Sequence, residues 1–391
     1  MSFKKFISEE AEKFGKLNHL EHVEDHVFNG EDSYNKAVES LKAAHDRITG
    51  KPTKSKLTIK YDGSPSIVFG HDSKTQKFFV GTKSVFNEKP KLNFSEKDIR
   101  KNHDDSDLRR KLHHALEHLP KITPQKGIYQ GDMMYTKDRV HEDSRHYHFT
   151  PNTIMYSVKK TDPEGEKIRQ AKLGIVIHTK YHGKDLKTMH AGFDPGLHEF
   201  RNHKDVHVID PELKLQKSIN DEDMNNQFLK HMNDAENELN NAHPDTFDDV
   251  AVHTQHLKKY INKTVKNNEK PTAVGFKAHL TDQYKNEAEK LKTPAGKLRK
   301  KEQLLNHLSH VDENHDKYQS ILAIHHHLQQ AKNVLIDSLK DSNPFESSID
   351  GKESKGEGYV VTHNGYPSKL VDRQDFSKKN FQHSQNKKQN Q

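Results

Sequence analysis

Five short stretches of the sequence set amines and carboxylates beside glycines or at the ends of strand-like runs. They are "KYDG" with Lys60, Asp62 and Gly63, "TKS" with Lys83, "QGDM" with Asp132, "EGYV" with Glu357, and "SKLV" with Lys369. A lysine amine attacks an electrophile only when neutral, and a free lysine has a pKa near ~10.4. Neighbouring cations and loss of solvation lower that value. Lysines gathered round one amine therefore activate it, and a carboxylate beside them suits a hard divalent cation. Each stretch alone also reads as a strand-end cation, a turn acid or an edge-strand lysine, and a lone K-x-D-G recurs by accident. Their number and order carry the information.

The elements that must position these residues follow from periodicity. Residues two apart on a strand share a face. Ile59 and Tyr61 therefore form a core side, and Thr58, Lys60 and Asp62 line a surface or cleft. Gly63 permits a turn directly afterwards. Further strand patterns are "PSIVFG", "KFFVGT", "GIYQGDMMY", "TIMYSV" and "KLGIVIHTKY". Between them, Leu108, Leu112, Ala115, Leu116 and Leu119 predict one face of a helix. Residues 1–50 read as helices, with Gly50 as a stop. From about residue 200 to 343 the pattern is helical, with helices expected near 218–241, 246–267, 272–291 and a long one at 297–340. Pro244, Pro271 and Pro294 fall at the breaks. Strands return at "EGYVVTH" and "YPSKLVD". The expected organisation is α+β: a helical segment at 1–50, a β-rich domain over 51–200 and 345–375, a helical insertion at 201–344, and a basic disordered tail at 376–391.

The 391 residues allow two or three domains. Hydrophobic residues make up only 30%, but they come in periodic clusters, which predicts a folded chain with a very polar surface. The net charge of +7 fits a polyanionic partner without demanding one. With no cysteine, disulfides and thiolate metal sites are excluded. No apolar run reaches membrane-spanning length. The opening "MSFKKFISEEAEKFGKL" lacks the apolar core of a signal peptide. Its Phe3, Phe6, Ile7, Phe14 and Leu17 predict a helix docked on its own domain, and Glu9, Glu10 and Glu12 oppose an anionic bilayer. No membrane partner is expected. Histidine is abundant at 31, but neither His19, His22 and His26 nor the "HHH" at 325–327 matches a closed zinc set.

In their order, the stretches resemble the motifs of the covalent nucleotidyltransferase superfamily. That superfamily contains ATP-dependent DNA ligases, RNA ligases and mRNA capping guanylyltransferases. Here the motifs read "KYDG", "TKS", "QGDM", "MYSV", "EGYV" and "SKLV", over roughly residues 55–200 and 350–373. The resemblance implies an adenylation domain of antiparallel sheets with flanking helices, here interrupted by the helical insertion. It implies that Lys60 attacks the α-phosphate of ATP, expels pyrophosphate and keeps AMP through a P–N bond. Thr58, Ile59, Asp62 and Gly63 then frame the bound nucleotide. Lys83 matches a basic residue near the ribose and phosphates, where many relatives have Arg. Asp132 matches an acid that bonds the ribose, usually the longer Glu. Tyr156 is the candidate for stacking on adenine, with Phe149 and Tyr181 as rivals and a core role as the alternative. Glu357 matches the carboxylate that places Mg²⁺ or Mn²⁺. Lys369 matches a phosphate-binding lysine that is often one of a pair. Val371 or Pro367 takes the second place here, with Arg373 as a compensating cation.

The resemblance is strongest to phage RNA ligases, through "KYDGS", "TKS" and the short stretch after Lys369, which leaves no room for an appended OB-fold. The expected function is an ATP-dependent RNA ligase joining 5′-phosphate to 3′-hydroxyl ends, with RNA ends ahead of DNA nicks as partners. A DNA ligase, a capping-type or protein-modifying AMP transferase, and a non-catalytic nucleic-acid-binding phage protein are the alternatives. The basic run "KLRKKEQ" is either a phosphate contact or an ordinary solvated helix face. The expected compartment is the cytoplasm, that of the infected host if the chain is viral.

Overall fold

The computed structural model describes residues 20–373 and 376. The expected helix with Phe3, Phe6, Ile7, Phe14 and Leu17, and the tail after Phe376, lie outside the described residues. The strands are β1 (Lys56–Lys60), β2 (Ser66–His71), β3 (Phe78–Gly81), β4 (Ile128–Thr136), β5 (His141–Glu142), β6 (His146–Phe149), β7 (Met155–Lys159), β8 (Leu173–His182), β9 (His190–Gly192), β10 (Val206–Ile209), β11 (Glu346–Ile349), β12 (Lys352–Glu353), β13 (Gly358–His363) and β14 (Tyr366–Leu370). The α-helices are α1 (Glu31–Thr49), α2 (Glu96–Asn102), α3 (Ser106–His118), α4 (Pro163–Gln170), α5 (Glu222–Asn241), α6 (Thr246–Ala251), α7 (Thr254–Asn267), α8 (Ala273–Glu289), α9 (Pro294–Glu313) and α10 (His315–Ser338). The architecture is α+β, with largely antiparallel sheets and flanking helices. Among the described residues no helix is long and apolar enough to cross a membrane.

The chain forms two compact units, and each is discontinuous in sequence. The first holds Thr58–Leu213 and Ser342–Glu357. One of its sheets has the order β10-β8-β4-β2-β3, with β9 on β8, and only the β10–β8 pair is parallel. The other has the order β12-β11-β7-β6-β5 and is antiparallel throughout. The chain leaves this unit for the helical segment and returns to complete it, setting Ser347 of β11 opposite Tyr156 of β7.

Both faces of the larger sheet are apolar. Ile67, Phe69, Tyr129, Met133, Ile175 and Ile177 lie on one face, under Leu112 and Ala115 of α3, with Leu108 and Leu116 packed at the margin. Val68, Phe79, Val85, Phe86, Ile128 and Tyr181 lie on the other. Burial on both sides explains the unbroken apolar run "LGIVI" in β8. Each fully buried Ile or Phe contributes roughly 1.5–3 kcal/mol.

The second unit holds Glu21–Leu57, Lys214–Asp341 and the chain from Gly358 onward. It contains α1 and α5 to α10, together with the antiparallel β13–β14 hairpin. The segment before residue 51 and the strands after Gly358 therefore group with the helices, where the sequence placed them apart or with the β-rich domain. Main-chain bonding accounts for part of this: the Lys369 N–H donates to Glu21 O at 2.9 Å.

Gly50 ends α1 as expected, in a left-handed conformation (φ 79°) with its N–H on Arg47 O and Asp46 O. The expected helix at 297–340 is two helices. Asn314 leaves helical geometry and donates its side-chain amide to His310 O at 3.0 Å, an alternative to the helical ladder. The 246–267 helix likewise divides at Val252 and His253. Pro294 starts α9 at its first turn, where its missing N–H is harmless. Ile321, Ile324, Leu328, Ala331, Leu335 and Leu339 are all buried, as their spacing predicts.

Candidate functional site

Lys60 closes β1, where burial alternates: Leu57 and Ile59 are buried, Thr58 and Lys60 half-buried. Ile59 donates its N–H to Pro211 O at 2.7 Å, and Thr58 bridges Glu212. Thr58 and Ile59 thus anchor the strand along its main chain. The turn that follows is strapped to β4, with Ser64 N–H on Met133 O at 2.9 Å and Met133 N–H on Pro65 O at 3.1 Å. The requirement for Gly63 is close approach: a Cβ there would stand 2.6 Å from the Asp132 Cβ. Lys111 of α3 also reaches this turn, donating its Nζ to Ser64 O at 3.2 Å while pairing with Asp107 at 3.0 Å.

Lys60 Nζ is ion-paired with Glu357, which lies beyond β12 in the returning segment. The two side chains are 26% and 14% exposed, so the amine is neither on an open surface nor sealed. Asp132 stands opposite Ser66 of β2. His178 Nε2 lies 3.3 Å from Asp132 Oδ2. Burial pushes the Asp132 carboxyl up, but His178, the Ser66 hydroxyl and the charge of Lys60 outweigh it and hold the carboxyl below the usual range.

His178 owes its position to an irregularity. Gln130 pairs with Thr179, yet Gly131 pairs with Ile177, so His178 is the extra residue of a bulge. Such a bulge re-aims a side chain. Beside it, Gln130 donates to Ser66 Oγ at 2.8 Å and accepts from Tyr181 Oη, and His178 Nδ1 shares a bond with Thr179 Oγ1 at 2.8 Å. Lys83 is half-buried and follows β3 by two residues. Gly81 pairs with Val68, two residues along β2 from the Ser66 that faces Asp132, so Lys83 starts from the same end of the sheet.

Two expected ligand contacts are structural props. Asp62 is 7% exposed, and its carboxylate accepts from Asn152 Nδ2 at 2.9 Å, Thr153 N–H at 2.8 Å and Ile154 N–H at 3.2 Å. Tyr156 is 2% exposed and packs with Tyr61, Phe149 and Phe345. Its hydroxyl accepts the Asp62 N–H at 2.8 Å. Its rivals Phe149 and Tyr181 are buried as well. None of the three presents an open ring face. Lys369 lies on β14 in the second unit, and Arg373 is committed to Asp25 at 2.7 Å and Asn262 at 2.9 Å.

Sequence reasoning missed His178, Ser66, Gln130 and Lys111. Gln130 shares Asp132's face by the two-residue period, a signal present in the sequence, whereas His178 is brought there by a bulge that no periodicity marks. Mg²⁺ takes one or two carboxylates together with substrate phosphates rather than a preformed cage. Glu357 and Asp132 offer that hard-oxygen chemistry. Among the described residues, clusters of three side-chain donors lie elsewhere, at Asp143, His146 and His148, at His231, Asp234 and His327, and at Glu24, Asp25 and His325.

Compared with known families, residues 17–385 match a family of unknown function, DUF6267. No curated protein and no solved structure matches the chain.

Proposed function

The chain belongs to the DUF6267 family, and we propose that it is an ATP-dependent polynucleotide ligase of the covalent nucleotidyltransferase kind, acting on RNA ends. The observation that carries this reading is the pairing of Lys60 with Glu357, two motif residues separated by the whole helical segment, with Asp132 beside the same turn. The two sheets of the first unit are then the adenylation domain, and α5 to α10 of the second unit are the insertion.

In the first step the Lys60 amine, freed of a proton, attacks the α-phosphorus of ATP. A P–N bond forms, the bond to the β-phosphate oxygen breaks, and pyrophosphate leaves. AMP then passes from Lys60 to a 5′-phosphate, giving a 5′–5′ pyrophosphate, and a 3′-hydroxyl displaces AMP to form the phosphodiester. Glu357 holds the amine in the resting enzyme and releases it when nucleotide enters. Glu357 would hold Mg²⁺, which shields phosphate charge when bound. Asp132, kept ionised by His178, accepts from the ribose hydroxyls. Lys83 and Lys111 supply positive field at phosphate oxygens.

Incubation with α-labelled ATP and Mg²⁺, followed by denaturing electrophoresis, tests the reading. A labelled band is expected in the parent chain and none in Lys60→Ala. A label that survives in Lys60→Ala overturns the nucleophile, and labelling by GTP alone points to the capping-type alternative. Transfer to 5′-phosphorylated RNA against nicked DNA distinguishes the substrates.

A further inference from the structure

We infer that the second unit carries a zinc site made by His231 and Asp234 of α5 and His327 of α10. The two helices pack against each other within this unit. His231 and Asp234 are three residues apart and so share a helix face. One donor atom from each of the three side chains lies within 4.8 Å of the others. His327 Nδ1 is 3.8 Å from Asp234 Oδ2, and the two imidazole centroids are 6.0 Å apart.

Both rings of this cluster have unmet bonding, and, of the described residues, no cation stands among its three donors to take a metal's place. Nδ1 of His231 and Nδ1 of His327 are both buried and make no hydrogen bond. A buried ring nitrogen without a partner loses its hydration and gains nothing in return, and a metal ion supplies the missing bond.

The remaining clusters are already held by other partners. Asp143 accepts the N–H groups of Arg145 and His146 and bonds His148. Glu24 and Asp25 are neutralised by Lys332 and Arg373, and those two cations repel a metal ion even though Glu24 Oε2 and His325 Nδ1 lack a hydrogen-bond partner.

Two imidazoles and one carboxylate form a donor set for Zn²⁺, with water in the fourth position, whereas Ca²⁺ and Mg²⁺ prefer oxygens alone. Asp234 and His327 are 36% and 23% exposed, which leaves that position open to solvent. Tetrahedral zinc with bonds of ~2.0–2.1 Å needs its donors about 3.3 Å apart, a closure that modest side-chain rotation supplies. The ion would clamp α5 to α10. Of the "HHH" run, only His327 serves, because His325 is buried on Asp25.

The test uses the full chain without a histidine tag, stripped with a chelator and then titrated with Zn²⁺ by calorimetry. Zinc retained after gel filtration is measured by elemental analysis. The parent is expected to retain one zinc more than His231→Ala or His327→Ala, and to keep it in the control His326→Ala. Its thermal midpoint should rise with Zn²⁺, and that rise should be lost in Asp234→Asn, a change at a partly exposed position that spares the helix packing. Equal zinc content in parent and variants, or none in the parent, overturns the site.

Discussion

His178 Nε2 stands 3.3 Å from Asp132 Oδ2, and it does so because a bulge in β8 turns one histidine toward a neighbouring strand's carboxylate. Burial alone would raise that carboxyl, yet His178, Ser66 and Lys60 hold it low. A depressed carboxyl contributes stability above its unfolded value and loses it as pH falls through the folded value. Removing His178 should therefore move the Asp132 titration up toward the usual range, read by carbon NMR of the carboxyl. If Asp132 bonds the ribose, Asp132→Asn should reduce adenylation roughly 10- to 100-fold, the worth of one charged hydrogen bond. An unmoved titration in His178→Ala would show that the contact does not control the acid.

The Lys60–Glu357 pair separates chemistry from stability. A partly exposed ion pair is worth about 1 kcal/mol or less. Glu357→Gln should therefore change the urea midpoint little, while formation of the labelled lysyl adduct should fall at least ~100-fold, as expected when a transition-state electrostatic group is lost. A variant that unfolds in step with its loss of labelling would make Glu357 a structural residue.

Tyr156 distinguishes a core pillar from a base platform. Tyr156→Phe keeps the ring and removes only the oxygen that accepts the buried Asp62 N–H. Leaving that donor unpaired costs about 1–3 kcal/mol. Denaturant unfolding should register the loss, with KM for ATP unchanged. A raised KM with unchanged stability would restore the stacking role.

These residues also mark where sequence patterns stop being informative. Ile59 and Tyr61 were legible as core and Lys60 as cleft-facing, because β1 alternates to its end. Asp62 was placed on Lys60's face, but the strand ends at Lys60, so the turn decides its direction and the N–H groups of Thr153 and Ile154 draw it inward. In β8, Ile175 and Ile177 face one core while Tyr181 faces the other; the bulge at His178 reverses the parity, and no periodicity reveals a bulge. β11, "ESSI", has almost no apolar signal and is a strand because β7 offers it an edge. The spacing in α10 survived because one face of a helix needs no partner to define it.

The second unit contains a buried ion pair whose loss should be severe. Lys332 Nζ lies 2.7 Å from Glu24 Oε1, and both side chains have no solvent exposure. Removing only the cation strands a carboxylate, with Arg373 at 3.6 Å as partial relief. Breaking such a pair typically costs about 3–5 kcal/mol. Lys332→Met should show that loss in urea unfolding, and adding Glu24→Gln should recover part of it. A neutral Lys332→Met would mean that Arg373 alone satisfies Glu24.

Acid sensitivity should reside in His253. It is 1% exposed, with Nε2 at 2.7 Å from His307 Nδ1 and Nδ1 bonded to Tyr318 Oη. Burial first, then the charges of His307, His310 and His256, brings it down to about 3. In the unfolded chain the same group titrates near ~6.5. Between those values the unfolded state binds a proton that the folded state refuses, so stability falls as pH drops. The slope is about 1.4 kcal/mol per pH unit for this one group. His307, His279 and His231 are also held low, mainly by burial, and add in the same direction. Helical circular dichroism during urea unfolding of the full chain, at steps from pH 7 to pH 4, should trace this fall. His253→Gln keeps a neutral hydrogen-bonding group, so it should start lower at pH 7 but lose stability with a visibly shallower slope. Parallel slopes in parent and variant would place the acid sensitivity elsewhere.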